Sequence, residues 1–298
     1  MANVNIQELL DSGVHFGHLT RKWNPNMAPY IYTERNGVHI IDLYKTAAKI
    51  EETSEALKKI ANSGRKILFV ATKKQAKDIV TEKAKSVNMP FITERWPGGM
   101  LTNFVTIRKA VKKMAHIDRM KLDGSFDALS KREKLQINRQ REKLEKNLGS
   151  ISDMTRLPGA LFVVDIKKEH IAVAEAQKLN IPIFAMVDTN SDPRLVDFII
   201  PANDDASKSI DKVLSFVTDA IAEGLADRKT DKEKVAKKEE AKAETSKKEA
   251  ATKEVEAPKE VEDPKEVKVS KEKKAKAKAP KKEEAKVEAT EASSEETK

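Results

Sequence analysis

The sequence predicts an α/β protein with a Rossmann-like, doubly wound parallel sheet, a protruding helical hairpin (a coiled coil) and a disordered C-terminal tail. Short apolar runs alternate with helical patterns over much of residues 63–226, and this alternation is typical of βαβ units. A basic segment with two narrow apolar stripes interrupts the alternation at residues 103–149. After Ala226 the only large apolar residue type is valine, so the tail has little with which to build a core.

The N-terminal segment, residues 1–62, is predicted to form a short helix, a hairpin and a long helix. Residues 5–12 have a short helical pattern. The pair Asn36-Gly37 stands between two runs of strand-forming residues, which is a strong signal for a two-residue hairpin turn. Asp42 is placed to cap a helix that extends to Ala61.

The parallel-sheet domain consists of residues 63–102 and 150–226. Its predicted strands are short apolar runs, typical of strands buried on both faces: residues 66–71, 90–93, 160–164, 181–187 and 197–200. Helical spacing predicts helices at residues 73–87, 168–179 and 204–226. Right-handed crossovers bring the carboxyl end of every strand to one edge of the sheet.

Residues 103–149, which we call the arm, are inserted between the second and third strands of this domain. Asp123-Gly124 separates two predicted helices, and Ser130 is placed to cap the second of them. The apolar positions are Phe104, Ile107, Val111 and Met114 in the first helix, and Leu135, Leu144 and Leu148 in the second. Such narrow stripes predict an antiparallel hairpin with coiled-coil packing.

The arm contains the whole excess of positive charge in the first 226 residues. Residues 1–226 hold 35 Lys and Arg against 28 Asp and Glu, and residues 103–148 alone hold 13 against 6. A neutral body with one basic arm indicates a protein that binds a polyanion at a defined place. The predicted phosphate-binding residues of the arm are Arg108, Lys109, Lys112, Lys113, Arg119, Lys131, Arg132, Arg139 and Arg141.

A second candidate cluster combines basic and aromatic residues: Arg21, Lys22 and Trp23, with Arg95 and Trp96. Basic side chains neutralise phosphates, and tryptophan can stack on an unpaired base. The alternative is that both tryptophans fill the core, because large aromatic side chains dominate core packing. The Gly-Gly loop that follows Trp96 leads into the arm, where a helix start can bind a phosphate or simply be a turn with a cap.

The tail, residues 227–298, holds 22 Lys and Arg, 20 Asp and Glu, and no Leu, Ile, Met, Phe, Tyr or Trp. Its few apolar residues cannot offset the entropy lost on ordering the chain, so the tail is predicted to be disordered. A lone helix is the alternative, although Pro258, Pro264 and Pro280 would interrupt it.

Several classes of protein are disfavoured by what the sequence lacks. It has no cysteine, no visible signal peptide and no continuous apolar run of about 18 residues, so a cytoplasmic protein without a membrane span is expected. The loop after the first strand of the sheet, residues 72–75, has no glycine and therefore no phosphate-cradling motif. No nucleophile elbow is present. We therefore expect a protein that is not an enzyme and has no cofactor.

Two groups of residues nevertheless raise the question of a metal. Asp165, Asp188 and Asp192 follow predicted strands and can bind Mg²⁺ at the sheet edge, or can end strands, start turns and cap helices. His15 and His18 are three residues apart, a spacing that can ligate a metal, but a pair without further ligands is more often packed or exposed. Neither pattern predicts a metal site by itself.

Several blocks over about residues 3–226 resemble the bacterial small-subunit ribosomal protein two family. These blocks are His15-Phe16-Gly17-His18, Trp23-Asn24, Met27, Tyr30-Ile31, Arg35-Asn36-Gly37 and His39 to Leu43 near the N-terminus; Arg95-Trp96 and Gly98 to Asn103 before the arm; and Leu157 to Asp165, Ala172, Glu175, Ala176, Ile181-Pro182 and Asp188 to Pro193 after it. The long Lys/Glu tail departs from the shorter family members.

The resemblance implies a Rossmann-like domain with a protruding coiled coil, bound as a monomer to ribosomal RNA of the small subunit. It also implies late assembly, neighbouring small-subunit proteins as partners, and recruitment of the mRNA-binding ribosomal protein one for translation. Two alternatives remain: a nucleotide- or metal-dependent enzyme on a doubly wound sheet, and an adaptor whose arm binds another protein.

Overall fold

The computed structural model describes the backbone of residues 4–252 and the side-chain surroundings of residues 4–231. The chain divides into two compact units, Met1–Ala243 and Glu244–Lys298. The first unit contains two sheets, one of three strands and one of five. Of the second unit, residues 244–252 are described, and they are helical.

The elements confirm a mixed α/β protein. In chain order they are α1 (Ile6–Asp11), β1 (Phe16–Leu19), β2 (Ile31–Arg35), β3 (Val38–Ile41), α2 (Leu43–Asn62), β4 (Ile67–Val70), α3 (Lys74–Ser86), β5 (Phe91–Ile92), α4 (Phe104–Leu122), α5 (Lys131–Leu148), β6 (Ala160–Val164), α6 (His170–Lys178), β7 (Ile183–Val187), β8 (Phe198–Pro201) and α7 (Ser207–Thr252). Each of the five strands predicted for the parallel-sheet domain is present.

The five-stranded sheet is wholly parallel, with the order β5-β4-β6-β7-β8. Counted along the chain from β4, this order is 2-1-3-4-5, which is one of the two common doubly wound arrangements and confirms a Rossmann-like fold. Strands β4, β6 and β7 are buried at every position, as the continuous apolar runs predicted.

Alternate residues of each strand contribute to two separate cores. Ile67 and Phe69 of β4 pack on one face of the sheet with residues of α2, α3 and α7. Leu68 and Val70 pack on the other face with residues of α6 and with the base of the arm. The arm is therefore attached to the layer that also contains α6, and this layer fixes where its two helices leave the body.

The N-terminal segment has the predicted helix, hairpin and long helix. Asn36 and Gly37 have positive φ angles of 53° and 74°, as a tight hairpin turn between β2 and β3 requires. Asp42 caps α2, and its Oδ1 accepts a hydrogen bond of 3.0 Å from the backbone N–H of Tyr44. These local signals predicted the structure well because they depend only on neighbouring residues.

The sequence analysis missed strand β1, which pairs antiparallel with β3. Its four residues do not alternate between buried and exposed positions, and Gly17 weakens the strand pattern further. Position 17 requires glycine because β1 lies very close to the loop after β7. A Cβ atom there would lie 2.7 Å from the side chain of Thr189. Strand β1 is thereby packed against the loop that follows β7.

The arm is a pair of contacting helices, α4 and α5. Ser130 forms the predicted cap, reinforced by Glu133 in a reciprocal capping box. Leu135 was wrongly assigned to the apolar stripe and is 52% exposed. It lies nine residues before Leu144, about two and a half helical turns, and so projects from the opposite face. The helical hairpin is present, while its coiled-coil geometry stays a prediction.

Helix α7 extends to Thr252, well beyond the predicted end at Ala226. The disordered tail is therefore not confirmed over residues 227–252, where alanine, lysine and glutamate favour a helix and no proline interrupts it. The predicted tail residues 253–298 lie outside the described part of the chain. Within residues 4–252, no helix combines the length and the hydrophobicity that crossing a membrane requires.

Candidate nucleic-acid interface

Eight of the nine basic residues predicted on the arm are exposed and unpaired. Within the residues that the structure describes, none of these eight side chains forms an ion pair or a hydrogen bond. They are Arg108, Lys109, Lys112, Lys113 and Arg119 on α4, and Lys131, Arg132 and Arg139 on α5. Unpaired cations on a projecting element keep their full charge available for a polyanion.

Arg141 is the exception, because its guanidinium is paired within the arm, which favours a structural role over the predicted contact with RNA. Its Nε donates to Asp118 Oδ1 at 2.6 Å, and its Nη1 donates to Glu145 Oε2 at 2.5 Å. The first contact joins α5 to α4, and the second lies within α5. Arg141 is therefore engaged in holding the two helices together, since both of its carboxylate partners belong to the arm itself.

The base of the arm is anchored by one buried carboxylate, that of Glu175 in α6. Its Oε1 accepts hydrogen bonds from Trp96 Nε1 at 3.1 Å and from the backbone N–H of Gly99 at 2.8 Å. Its Oε2 accepts from the backbone N–H groups of Leu101 and Thr102, at 2.9 and 3.1 Å, and from the Thr102 hydroxyl at 3.2 Å. Five donors from one loop thus converge on a single side chain.

Glu175 is ionised in spite of its burial. Burial by itself raises the pKa of a carboxyl group, but the hydrogen bonds from Thr102, Leu101, Trp96 and Gly99 outweigh it and hold the pKa of Glu175 below its ordinary value. No local pattern in the sequence indicates this role, because Glu175 stands in an Ala-rich helix more than 70 residues from its partners.

For Trp96 and the loop that leads into α4, the structure bears on alternatives that the sequence left open. Trp96 is only 6% exposed, so it is a core residue and is not free to stack on a base. The backbone N–H groups of Gly99, Leu101 and Thr102, in the loop before α4, donate to Glu175 and are therefore not free to bind a phosphate. The alternative that the sequence left open for Trp96, a place in the core, is confirmed.

The other members of the basic and aromatic cluster lie at the surface. Arg21, Lys22 and Arg95 are exposed. Trp23 is 38% exposed, and its ring is tilted against that of His39 with 5.1 Å between the ring centroids. These four side chains therefore remain accessible to a nucleic acid, in contrast to Trp96.

The carboxyl edge of the parallel sheet holds a second group of charged residues, but these are paired with one another. Lys73 Nζ lies 2.7 Å from Asp204 Oδ1, 2.6 Å from Asp205 Oδ1 and 3.8 Å from Asp165 Oδ2. Burial lowers the pKa of Lys73, but its hydrogen bonds to Asp204 and Asp205 raise it above the ordinary value. Burial, with the nearby Asp188 and Asp165 carboxylates, raises the pKa of Asp204 to about 7.

The structure brings together some of the predicted metal candidates and separates others. His18, Asp188 and Asp204 each offer one ligand atom, and these atoms lie within 4.8 Å of one another. Asp204 was not among the sequence candidates. The ring of His15 instead lies against that of Phe16, tilted by 40° with 4.0 Å between the ring centroids, and burial lowers the pKa of His15.

The two remaining aspartates have the structural roles that the sequence left open. Asp165 has a φ of 67°, and its Oδ1 accepts hydrogen bonds from the backbone N–H groups of Lys167 and Lys168, at 3.0 and 3.3 Å. Asp192 caps a short turn, where its Oδ1 accepts from the backbone N–H of Arg194 at 3.1 Å. Turn and cap formation explains both side chains.

The N-terminal segment packs against part of the carboxyl edge of the sheet. Thr189 Oγ1 accepts a hydrogen bond of 2.8 Å from the backbone N–H of His18, and the Thr189 carbonyl accepts one of 2.8 Å from that of Asn24. Asn203 Nδ2 donates to the carbonyl of Gly13 at 3.1 Å. Doubly wound enzymes bind their ligands at this edge. Here the chain's own residues occupy part of it.

The chain is similar over most of its length to ribosomal proteins. A family model described as Ribosomal protein S2 matches residues 9–224. Small ribosomal subunit protein uS2 of Flavobacterium johnsoniae is 77% identical over 240 residues, which cover 80% of this chain and 94% of the relative. The protein of the same name from Parabacteroides distasonis is 65% identical over 241 residues, covering 81% and 87% respectively.

Proposed function

Since the chain belongs to the ribosomal protein S2 family, and is thus a structural, non-enzymatic component of the small ribosomal subunit, we propose that it binds ribosomal RNA through its arm. The observation that supports this most directly is the set of eight exposed, unpaired basic side chains on α4 and α5. Such side chains contact phosphates of folded RNA, in a mode that is largely independent of sequence and sensitive to salt.

Recognition of RNA shape would come from the fixed position of the arm on the body. Glu175 holds the loop that leads into α4 by five hydrogen bonds, and Arg141 ties α5 to α4. A rigid arm presents its cations at set distances from the body. Arg21, Lys22, Trp23 and Arg95 then supply further contacts at the surface of the body, where Trp23 can stack on an unpaired base.

The wider role that we propose rests on family membership. The protein joins the subunit late and as a monomer, lies beside other small-subunit proteins in the cytoplasm, and helps to recruit the mRNA-binding ribosomal protein one. Subunits assembled without this chain should then lack protein one. Quantitative mass spectrometry of such subunits measures this, and an unchanged amount of protein one would contradict the recruitment role.

Sedimentation of cell lysate through a sucrose gradient, with and without RNase, tests the RNA-binding proposal against the adaptor alternative. The protein should sediment with small subunits and with translating ribosomes, and RNase should release it. If the arm bound another protein and not RNA, the association would survive complete digestion of the RNA. A free pool that RNase does not change would contradict the proposal.

A further inference from the structure

A small notch lies at the base of the arm, between α4 and the segment that follows α5. Its volume is about 90 Å³. Phe104, Ile107 and Val111 line it from α4, and Ile151 and Met154 line it from the segment after α5. Pockets that hold a drug-sized ligand measure roughly 300–1,000 Å³, so this notch suits one small group and not a whole cofactor.

The apolar lining of the notch is only partly covered by the protein. Ile151 and Met154 are 2% and 6% exposed and belong to the core beneath it. Phe104, Ile107 and Val111 pack against the same core but are only partly buried. Covering the apolar surface that remains open stabilises a complex. A nucleobase can do this, because both faces of its ring are apolar enough to stack.

The notch is also lined by positive charge. Arg108 and Lys112 line it, and both belong to the eight unpaired cations of the arm. They are four residues apart in α4 and therefore lie on the same face of the helix. Among the described residues that line the notch, none is acidic. A cation beside an apolar cleft suits a nucleotide, since the cation meets the phosphate while the base enters the cleft.

Two exposed hydroxyl groups, those of Ser152 and Thr155, complete the lining. Ser152 Oγ donates to Asp153 Oδ1 at 3.3 Å. The Thr155 hydroxyl has no hydrogen-bond partner within the part of the chain that the structure describes. A free hydroxyl can both donate and accept, so it can bond to the polar edge of a base. Unpaired bases in RNA are recognised by this combination of an apolar contact and edge hydrogen bonds.

We propose that the notch binds one unpaired base of the ribosomal RNA, with the adjoining phosphate held by Arg108 and Lys112. The inference rests on the proposed RNA binding by the arm and adds a specific contact to it. Contacts with phosphates position a protein but carry no sequence information directly. A base in the notch fixes the register of the arm, because unpaired bases occur only at loops, bulges and ends of folded RNA.

Filling the notch tests this proposal. Small subunits depleted of this protein are reconstituted with the full-length wild type or with Thr155→Trp. Their RNA is then probed with dimethyl sulfate and a carbodiimide, which modify the pairing edges of unpaired bases. The wild type should protect one unpaired base beside the arm, and Thr155→Trp should leave that base reactive. Thr155→Trp should also bind the depleted subunits about fivefold or more weakly, as expected for the loss of one stacked base.

A matched control makes the test specific to the notch. Asn62→Trp adds the same side chain at an exposed position of α2 and should protect the base as the wild type does. Loss of protection in Asn62→Trp as well would overturn the proposal. Should Thr155→Trp fail to fold, Ser152→Phe fills the notch from a second exposed position and decides in the same way.

The outcomes separate the notch from RNA binding by the arm. Identical protection by the wild type and Thr155→Trp would overturn the base-binding notch and leave the RNA binding of the arm in place. If the wild type protected no base and bound the depleted subunits without any dependence on salt, the proposed RNA binding itself would be contradicted, and the notch with it.

Discussion

The arm and the carboxyl edge of the sheet are both rich in charge, but they arrange it in opposite ways. On the arm, eight basic side chains are exposed and have no partner among the described residues. At the sheet edge, Lys73 is shared by Asp165, Asp204 and Asp205 in a largely buried cluster. Exposed, unpaired charge can be offered to another molecule, whereas buried, paired charge holds the chain's own elements together.

The comparison shows why charge counts and charge placement carry different information. The count located the arm correctly, because residues 103–148 hold 13 basic and 6 acidic residues. Outside the arm, the acidic and basic residues of residues 1–226 are equal in number, so the net charge gives no sign of the buried ionic cluster. Arg141 and Glu175 use their charges in the second way, since each is paired within the chain and positions the arm.

The largest effect is expected for Glu175→Gln. The amide NH₂ of glutamine must face at least two backbone or side-chain N–H donors in either orientation, so we expect a loss of about 3 kcal/mol in the free energy of unfolding. Urea unfolding of the full chain at neutral pH measures it. Glu142→Gln, an exposed position on α5, is the matched control and should change stability by less than about 0.5 kcal/mol. Equal changes in both variants would contradict the anchoring role of Glu175.

The pH dependence of stability sharpens the same point. Because the pKa of Glu175 is lowered in the folded protein, its contribution is complete above the unfolded value of about 4.3 and is lost as the pH falls through the folded value. The stability difference between the wild type and Glu175→Gln should stay constant down to about pH 5 and shrink below about pH 4.3, by at most about 1.4 kcal/mol per pH unit. Parallel stability curves would show that Glu175 is not the group responsible.

Arg141 and Arg139 test the comparison within the arm itself. Arg141→Gln removes the 2.6 Å contact with Asp118 and should cost about 0.5–1 kcal/mol of stability, with little change in RNA binding. Arg139→Gln removes an exposed cation and should weaken RNA binding, with stability unchanged. Thermal unfolding measures the stability of both variants, and filter binding measures their affinity for RNA. If Arg141→Gln weakened RNA binding and left stability unchanged, while Arg139→Gln lowered stability and left RNA binding unchanged, the structural role of Arg141 and the RNA-binding role of Arg139 would both be contradicted.

The smallest effect is expected for a chain that ends at Ala226. The truncation removes the exposed ion pair between Lys58 and Asp227, 3.3 Å apart, while Lys58 keeps its contact with Glu223. Solvent and salt screen an exposed pair of this kind, so stability and subunit incorporation should be nearly unchanged. Loss of incorporation would mean that residues after Ala226 make contacts of their own on the subunit.

The sequence predicted those features that depend on neighbouring residues. The hairpin follows from Asn36-Gly37, the cap of α2 from Asp42, and the buried strands from continuous apolar runs. It did not predict the features that join distant residues. Glu175 binds donors 73 to 79 residues away, and the backbone of His18 bonds to Thr189 across 171 residues. Only the tertiary fold brings such partners together, so no local pattern records them.

Helix α7 and strand β1 show two other limits of prediction from the sequence. Alanine, lysine and glutamate are typical of disordered tails and are also strong helix formers, so composition did not place the end of α7. Strand β1 is stabilised by its pairing with β3 and by the close approach of Gly17 to Thr189, and neither contact leaves an alternating pattern in the sequence.

The central claim is that the exposed cations of the arm bind ribosomal RNA, and that exposed lysines on the helices of the sheet domain do not. Its most direct test is the salt dependence of binding to small subunits depleted of this protein. The arm variant combines Lys109→Ala, Lys112→Ala and Lys113→Ala, and the charge-matched body variant combines Lys74→Ala, Lys85→Ala and Lys178→Ala, all at exposed positions.

Each lost phosphate contact should reduce the slope of log K against log salt concentration by about 1. The arm variant should therefore bind more weakly and with a slope lower by about 2 to 3, while the body variant keeps the wild-type slope. Equal slopes for the arm variant and the wild type, or equal reductions in both variants, would contradict the account.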